Sequence, residues 1–251
     1  MTKSVLILAG LFLPLFPLSM LFNILFTRLR NPVLRSVLLL AWPQIGIAIV
    51  LGNSHAIPHW LVVWAVLSSL LYALRALALR DVGLWIGFIS TSAWSLLWIL
   101  ADTGAGSEQL KLYALGISIP LVLMSILAAG LERRFGAAYL GLYGGLAKSL
   151  PRFSGVLVVV VLAVIATPLF PSFFSMLSMI MKSIPTMPTV AVAVAIVWLL
   201  WSWAGAKLLQ GLIVGPGEQA ATDISRAGVW FFVIILVALV IAGMYWLGAV
   251  V

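Results

Sequence analysis

The feature that most constrains this chain is a series of long apolar runs with charged residues almost only between them. Hydrophobic residues make up 64% of the 251 residues and charged residues only 8%, which is too little polar side chain to cover a soluble domain. Runs of roughly 20 apolar residues match the thickness of the bilayer interior. The sequence therefore predicts an all-α polytopic membrane protein, with one transmembrane domain over residues 1–251 that contacts the lipid bilayer.

The apolar runs predict a bundle of eight or nine transmembrane helices, one of them broken by proline. Residues 154–185 leave the count open, because they fit either one long kinked span or two short helices at 154–167 and 172–184. Each short helix has fewer than the roughly 17 residues that cross a bilayer upright. The other predicted spans are residues 4–27, 36–53, 60–79, 83–101, 112–131, 188–213 and 228–250.

Basic residues are distributed unequally between the two sides of the predicted bundle. With eight spans, Lys3, Lys111 and Lys182 fall on one side and the other eleven of the 14 lysines and arginines on the opposite side. Cytoplasmic loops carry such an excess, so the loops at residues 28–35 and 132–152 are expected in the cytoplasm and both termini outside. With nine spans the last helices would flip. The net charge of +8 is thus a topology signal and indicates no nucleic-acid partner.

One stretch departs from the alternation of apolar run and charged loop. It begins Gly141-Leu-Tyr-Gly-Gly-Leu-Ala-Lys-Ser-Leu-Pro151, where glycines permit turns and a proline can start a helix. After a further apolar run, Pro168 and Pro171 interrupt the helix at membrane depth. Backbone groups freed there cannot face lipid. The stretch therefore predicts a break buried inside the bundle.

This order of residues resembles the second half of the antiporter-like membrane subunits of respiratory complex I, Mrp-type Na+/H+ antiporters, membrane-bound hydrogenases and inorganic-carbon accumulation complexes. The matching residues are Gly144, Gly145, Leu146, Lys148, Pro151, Pro168 and Phe173. The resemblance covers roughly residues 115–214. It divides the chain into N-terminal helices (1–111), antiporter-like helices (112–214) and a C-terminal helix (215–251). It implies a multi-pass subunit of the inner (cytoplasmic) membrane, acting with other membrane subunits of a larger complex that translocates protons or cations.

The resemblance also implies a row of buried lysine, glutamate and histidine side chains that carry protons. Two of the corresponding positions hold no such residue in this chain. Met176 stands three residues after Phe173, where the family places lysine or glutamate, and residues 116–127 contain no ionisable group. Methionine cannot bind a proton. Either the chain is a reduced, non-pumping member that serves assembly or coupling, or the resemblance extends to the fold alone.

An alternative interpretation is an autonomous secondary transporter or channel whose pathway uses Lys207, Lys182 and Arg75. Lys207 and Arg75 fall near the ends of predicted spans, where a long stem can follow apolar surface while its charge reaches water. Lys182 falls close to Pro185 in the broken region, where unwound backbone carbonyls can pair with a cation. The sequence leaves both interpretations open.

Other chemistry is absent from the sequence. The chain contains no cysteine, which excludes disulfides and thiolate-bound metals. His55 and His59 stand four apart, but Pro58 and the loop setting favour a solvated loop over a metal site. No catalytic set of the chain's own is recognisable, which leaves open whether it is a subunit of an energy-coupling enzyme complex, and we expect no cofactor or metal.

Tryptophans near the ends of the predicted spans are expected to form belts at the two membrane surfaces, where an amphipathic ring is stable. They include Trp60, Trp85, Trp98, Trp230 and Trp246.

Overall fold

The computed structural model describes residues 3–52, 57–142, 144–217 and 221–250. In this part of the chain it shows helices α1 (Lys3–Phe12), α2 (Ser19–Arg28), α3 (Pro32–Leu51), α4 (His59–Ala76), α5 (Val82–Ser95), α6 (Leu97–Asp102), α7 (Ser107–Phe135), α8 (Leu146–Ser149), α9 (Pro151–Val164), α10 (Pro171–Ser183), α11 (Pro188–Ile213) and α12 (Arg226–Val250). Among the described residues, 6 helices are long and apolar enough to cross a membrane, with α5 and α6 counted together. The predicted all-α polytopic membrane protein is confirmed.

Local sequence explains where these helices begin. The side chain of Asn31 accepts a hydrogen bond from the Val33 amide (2.9 Å), and that of Asp81 accepts one from the Leu84 amide (2.8 Å). Such N-caps satisfy backbone donors that lack a partner within the helix. Helices α3, α9, α10 and α11 have proline in their first turn, where its missing N–H costs nothing.

The prediction of one continuous first span over residues 4–27 is wrong. Helices α1 and α2 contain 10 residues each and are separated by residues 13–18, which include Pro14 and Pro17. Proline removes a helical hydrogen bond and clashes with the preceding turn. A helix of this length measures only about 15 Å, so neither crosses a bilayer alone. The chain thus has a break (the first break, residues 13–18) in addition to the one predicted from its sequence.

Residues 154–185 form two short helices, the second of the two alternatives. Helix α9 has 14 residues and α10 has 13, and we call residues 165–170 between them the second break. The loop before α9 lies beside the end of α11, because a Cβ built on Gly144 would be 2.8 Å from the Val214 carbonyl oxygen. At the other end of the pair, Lys182 Nζ donates to Gln109 Oε1 (3.2 Å). Gln109 lies at the start of α7 and Gly144 follows its end, so α9 and α10 together cross the bundle once, as the eight-span topology requires.

Basic side chains tie several helix ends together at one end of the bundle. Arg35 Nη1 pairs with Glu132 Oε1 (3.0 Å) and joins α3 to α7. Arg134 Nε donates to the Thr222 carbonyl (2.9 Å). We call this the basic end of the bundle. Its position on the cytoplasmic face stays a prediction.

The centre of the molecule is the α5–α6 span. In an 18-residue apolar window of Val82–Asp102, 83% of the residues are buried, compared with 22% in such a window of Arg226–Trp246 in α12. Helices α4, α7 and α2 pack around α5, and α3 packs on α1 and α7. Helix α12 therefore lies at the periphery, with most of its surface available to lipid or to another chain.

Candidate functional site

The second break is held by a tryptophan from α11. Trp198 Nε1 donates to the carbonyls of Ile165 (3.2 Å) and Ala166 (3.1 Å), both freed where α9 ends. Ser172 Oγ donates to the Ala163 carbonyl (2.8 Å). Ala166 is fully buried, whereas Leu169 on the outer side of the break is exposed. The broken backbone is thus satisfied by protein, which is what an interruption at membrane depth requires.

The first break is held in the same way. Trp98 Nε1 donates to the Leu13 carbonyl (3.0 Å), and Trp64 Nε1 donates to the Phe16 carbonyl (2.8 Å). The Phe16 amide in turn donates to Ser68 Oγ (3.0 Å). Indole donors from distant helices therefore replace helical hydrogen bonds at both breaks.

This use of tryptophan was not predicted. Trp85 and Trp98 are buried, with exposed fractions of 1% and 0%, so the interpretation of these two as interfacial belt residues is wrong. Trp60 and Trp230 are exposed at 52% and 64% and remain compatible with a belt. The available signal was the position of Trp198 well inside the predicted span 188–213, away from its ends.

The backbone of the second break is strained and closely packed. Ala166 has φ 59° and Leu169 has φ 90°, a left-handed region that side chains other than glycine rarely occupy. A Cβ on Gly243 of α12 would lie only 2.3 Å from the Leu169 carbonyl oxygen. Such strain persists only where the surroundings enforce it. The second break is therefore a fixed joint at which α9, α10, α11 and α12 meet.

The two positions at which the resemblance implies a relay group lie inside this packing. Met176 on α10 is fully buried. On α7, Gly116 lies against Pro171, with 2.7 Å between its built Cβ and the proline Cβ, and Ser118 Oγ accepts from Trp94 Nε1 (3.1 Å). Neutral side chains thus occupy both positions.

The interior between α2, α4, α5 and α11 is polar but uncharged. Ser69 and Ser92 share a hydrogen bond of 2.9 Å between their hydroxyls, and Trp201 Nε1 donates to Ser92 Oγ (2.9 Å). Asn23 Nδ2 donates to Thr91 Oγ1 (3.0 Å). These groups bind helices to one another without any side chain that is charged at neutral pH.

The structure does not bring the three candidate pathway cations together. Lys207 Nζ donates to the Leu77 carbonyl (2.9 Å) just after α4, and the Arg75 guanidinium lies 5.7 Å from the centre of the Phe88 ring. Both are at the basic end, whereas Lys182 pairs with Gln109 at the opposite end.

Among the residues that the structure describes, no three His, Cys, Asp or Glu side chains lie close enough together to bind a metal ion. His59 begins α4, and His55 lies outside the described residues.

The glycines of the loop motif bring two loops into backbone contact. Gly145 has φ 86° and Gly217 has φ 70°, and a Cβ on Gly145 would lie 2.3 Å from the Gly217 nitrogen. A Cβ on Gly217 would lie 2.9 Å from the Lys148 Cβ. The motif residue Tyr143 lies outside the described residues.

The start of α9 is capped from far along the chain. The carboxylate of Asp223 accepts from the amides of Arg152 (2.8 Å) and Phe153 (3.0 Å), directly after Pro151. The loop motif thus docks the segment before α12 and fixes where the broken span begins.

Comparison with known proteins shows that this architecture occurs in solved membrane complexes. No protein-family model matches the sequence, and no curated protein matches it. Respiratory complex I from Thermus thermophilus contains a chain that superimposes with a TM-score of 0.77 at 20% identity, over 94% of this chain and 53% of that chain. The archaeal membrane-bound sulfane sulfur reductase gives a TM-score of 0.80 at 17% identity, over 96% and 52%. The chain has the fold of an antiporter-like membrane subunit.

A chain of the Mrp complex from Dietzia sp. DQ12-45-1b gives a TM-score of 0.73 at 19% identity, over 84% of this chain and 41% of that chain. The protein thus spans about half the length of the chains that it matches. The motifs found in the sequence cover less than half of the protein, but the structural likeness extends over its N-terminal helices as well.

Proposed function

We propose that this chain is a membrane subunit of a proton- or cation-translocating complex in the cell's inner membrane. In this proposal it is a reduced antiporter-like subunit that lacks the full proton relay and serves assembly or coupling. Its partners are other membrane subunits of that complex. The fold, and its occurrence in multi-subunit membrane complexes such as those above, supports this assignment.

The observation that carries the proposal is a fully buried Met176 in an interior where Arg35, at the basic end, is the only buried charged residue among those that the structure describes. Residues 112–131, 153–181 and 188–206 contain no Lys, Arg, His, Asp or Glu. Charged groups in a membrane interior are expensive and are retained where ions or protons move. This chain keeps the framework of breaks and loops without those charges, which supports a role in holding neighbouring subunits over a role as a proton path.

The proposal is tested by separating assembly from transport. Met176→Leu conserves volume and apolar character, so it should cost under about 1.5 kcal/mol and leave both complex yield and transport unchanged. Pro168→Ala and Pro171→Ala should lower the yield of complex in native membranes, because they favour a straight helix where four helices meet. Transport per assembled complex should stay normal in all three variants. A Met176→Leu complex that assembles but no longer transports would overturn the proposal.

A second candidate is an autonomous secondary transporter or channel that uses Lys207, Lys182 and Arg75. A cavity of about 630 Å³ beside Lys207 favours it, although Lys182 lies at the other end of the bundle. Purification of the tagged chain from native membranes separates the two functions. Stable co-purification of other membrane proteins supports the subunit, and a chain that purifies alone supports the transporter.

A further inference from the structure

A cavity opens at the basic end of the bundle, between α4, α5 and α11. Its volume is about 630 Å³, and its wall is formed by residues 76–80, Trp85, residues 139–142 and the last turns of α11 around Lys207. Arg80, Tyr139 and Lys207 contribute polar side chains to the wall, and most of the other lining side chains are apolar. Such a wall suits a ligand that is itself amphipathic.

Two cations line this cavity without neutralising partners. Lys207 Nζ uses one of its three donors on the Leu77 carbonyl, and Arg80 forms no side-chain hydrogen bond or ion pair within the described residues. None of the described residues in the wall is acidic. The neighbouring Asp81 is engaged through Oδ1 with the Leu84 amide. The cavity therefore favours an anion.

A buried donor beside the cavity lacks an acceptor. Trp85 lines the cavity, and its Nε1 is buried without a hydrogen-bond partner in the described part of the chain. A buried N–H without an acceptor costs about 1–3 kcal/mol, and such groups are uncommon in folded proteins. Because this nitrogen is buried from solvent, a molecule in the cavity does not reach it, and the donors that face the cavity are those of Arg80 and Lys207.

An apolar surface leads along α11 to Lys207. Val192, Ile196, Leu199 and Trp203 are all exposed, with spacings of four, three and four residues, so they share one helix face. Helix α4, which packs against α11, exposes Leu67 and Leu74. Hydrocarbon chains can lie along these faces in a bilayer while a headgroup lies beside Lys207.

We propose that this cavity binds the phosphate of an anionic phospholipid. Lys207 and Arg80 donate charge-assisted hydrogen bonds to the phosphate oxygens, and the acyl chains lie along the exposed faces of α11 and α4. Two cations against one phosphate favour an anionic lipid over a zwitterionic one. The proposal is independent of any transport function of the chain.

The test measures lipid binding to the purified, delipidated chain in mild detergent by native mass spectrometry. Phosphatidylglycerol is titrated against phosphatidylcholine and inorganic phosphate. We expect one tightly bound phosphatidylglycerol, and an affinity at least tenfold lower in Arg80→Gln/Lys207→Gln. The control Arg28→Gln/Arg30→Gln removes the same charge from exposed residues of the basic end and should change the affinity less than twofold.

The melting temperature of the lipid-free chain separates binding from folding. It should be the same in Arg80→Gln/Lys207→Gln as in the unchanged chain, because both side chains are exposed. The proposal would be overturned if the Arg28→Gln/Arg30→Gln control lost as much affinity for phosphatidylglycerol as Arg80→Gln/Lys207→Gln. It would also be overturned if phosphatidylcholine bound as tightly as phosphatidylglycerol. If an equal concentration of inorganic phosphate displaced the lipid, the proposal of a lipid site would be wrong and the ligand would be a free anion.

Discussion

A single side chain shows how an interrupted helix is accommodated within an apolar bundle. Trp198 supplies one N–H to two carbonyls of the second break, and its ring packs against Phe173 with 5.3 Å between ring centres. The first break uses Trp98 and Trp64 in the same manner. Tryptophan suits this role because it combines a large apolar ring with one strong donor.

We predict that Trp198→Phe destabilises the protein by about 1–3 kcal/mol, because two buried carbonyls lose their donor while ring packing is kept. Trp203→Phe is the matched control on the same helix, since Trp203 is exposed and makes no hydrogen bond within the described residues. Thermal unfolding in mild detergent measures both. Equal melting temperatures for the two variants would show that the indole bonds do not hold the break.

At the level of secondary-structure elements, the contact between the loop motif and the segment after α11 fixes where α9 begins. Gly145 combines a positive φ with backbone contact to Gly217, so an added methyl group meets backbone that cannot move aside. Asp223, from the segment that follows, caps α9. The position of the broken span therefore depends on a contact between loops some 70 residues apart in the chain.

Gly145→Ala should reduce the folded, membrane-inserted protein several-fold, because of both the positive φ and the close contact. Gly155→Ala is the control: this glycine lies within α9, and a Cβ there meets nothing within 4 Å. That substitution should leave the yield unchanged and stabilise the helix by up to about 1 kcal/mol. The measurement is the yield of detergent-extracted protein that elutes as a single species. If Gly145→Ala gave the same yield as the unchanged chain, the strain assigned to Gly145 would be contradicted.

Sequence patterns predicted what local chemistry determines. The apolar runs located the spans, and Pro168 and Pro171 located the second break. The first break was missed although Pro14 and Pro17 are equally visible, because the apolar run around them is long enough to look like one uninterrupted span. The same proline rule would have found it.

The rest of the candidate site depends on tertiary contacts. The indole of Trp98 reaches a carbonyl 85 residues away, and Lys207 reaches Leu77 across 130 residues. No local pattern encodes such pairs. The sequence shows Met176 where the resemblance implies a lysine or glutamate, but it does not show the full burial of this side chain among neutral groups.

The clustering of basic groups at one end predicts the orientation of the whole molecule in the membrane. We predict that this end faces the cytoplasm. Because the chain has no cysteine, Leu142→Cys at the basic end and Ser107→Cys at the opposite end report on the two sides individually; both positions are exposed. In intact cells a membrane-impermeant maleimide should label Ser107→Cys and reach Leu142→Cys only after permeabilisation. The reverse pattern would invert the topology.

The central claim, that this fold is present without a proton path of its own, concerns the whole molecule and is tested most directly by ion flux. The chain is purified, reconstituted alone into liposomes, and exposed to a potassium diffusion potential while an internal dye reports pH. We predict proton entry no faster than in protein-free liposomes, and no effect of Lys207→Gln, Lys182→Gln or Arg75→Gln. Rapid proton entry that any of these substitutions abolishes would contradict the account and identify the chain as a transporter.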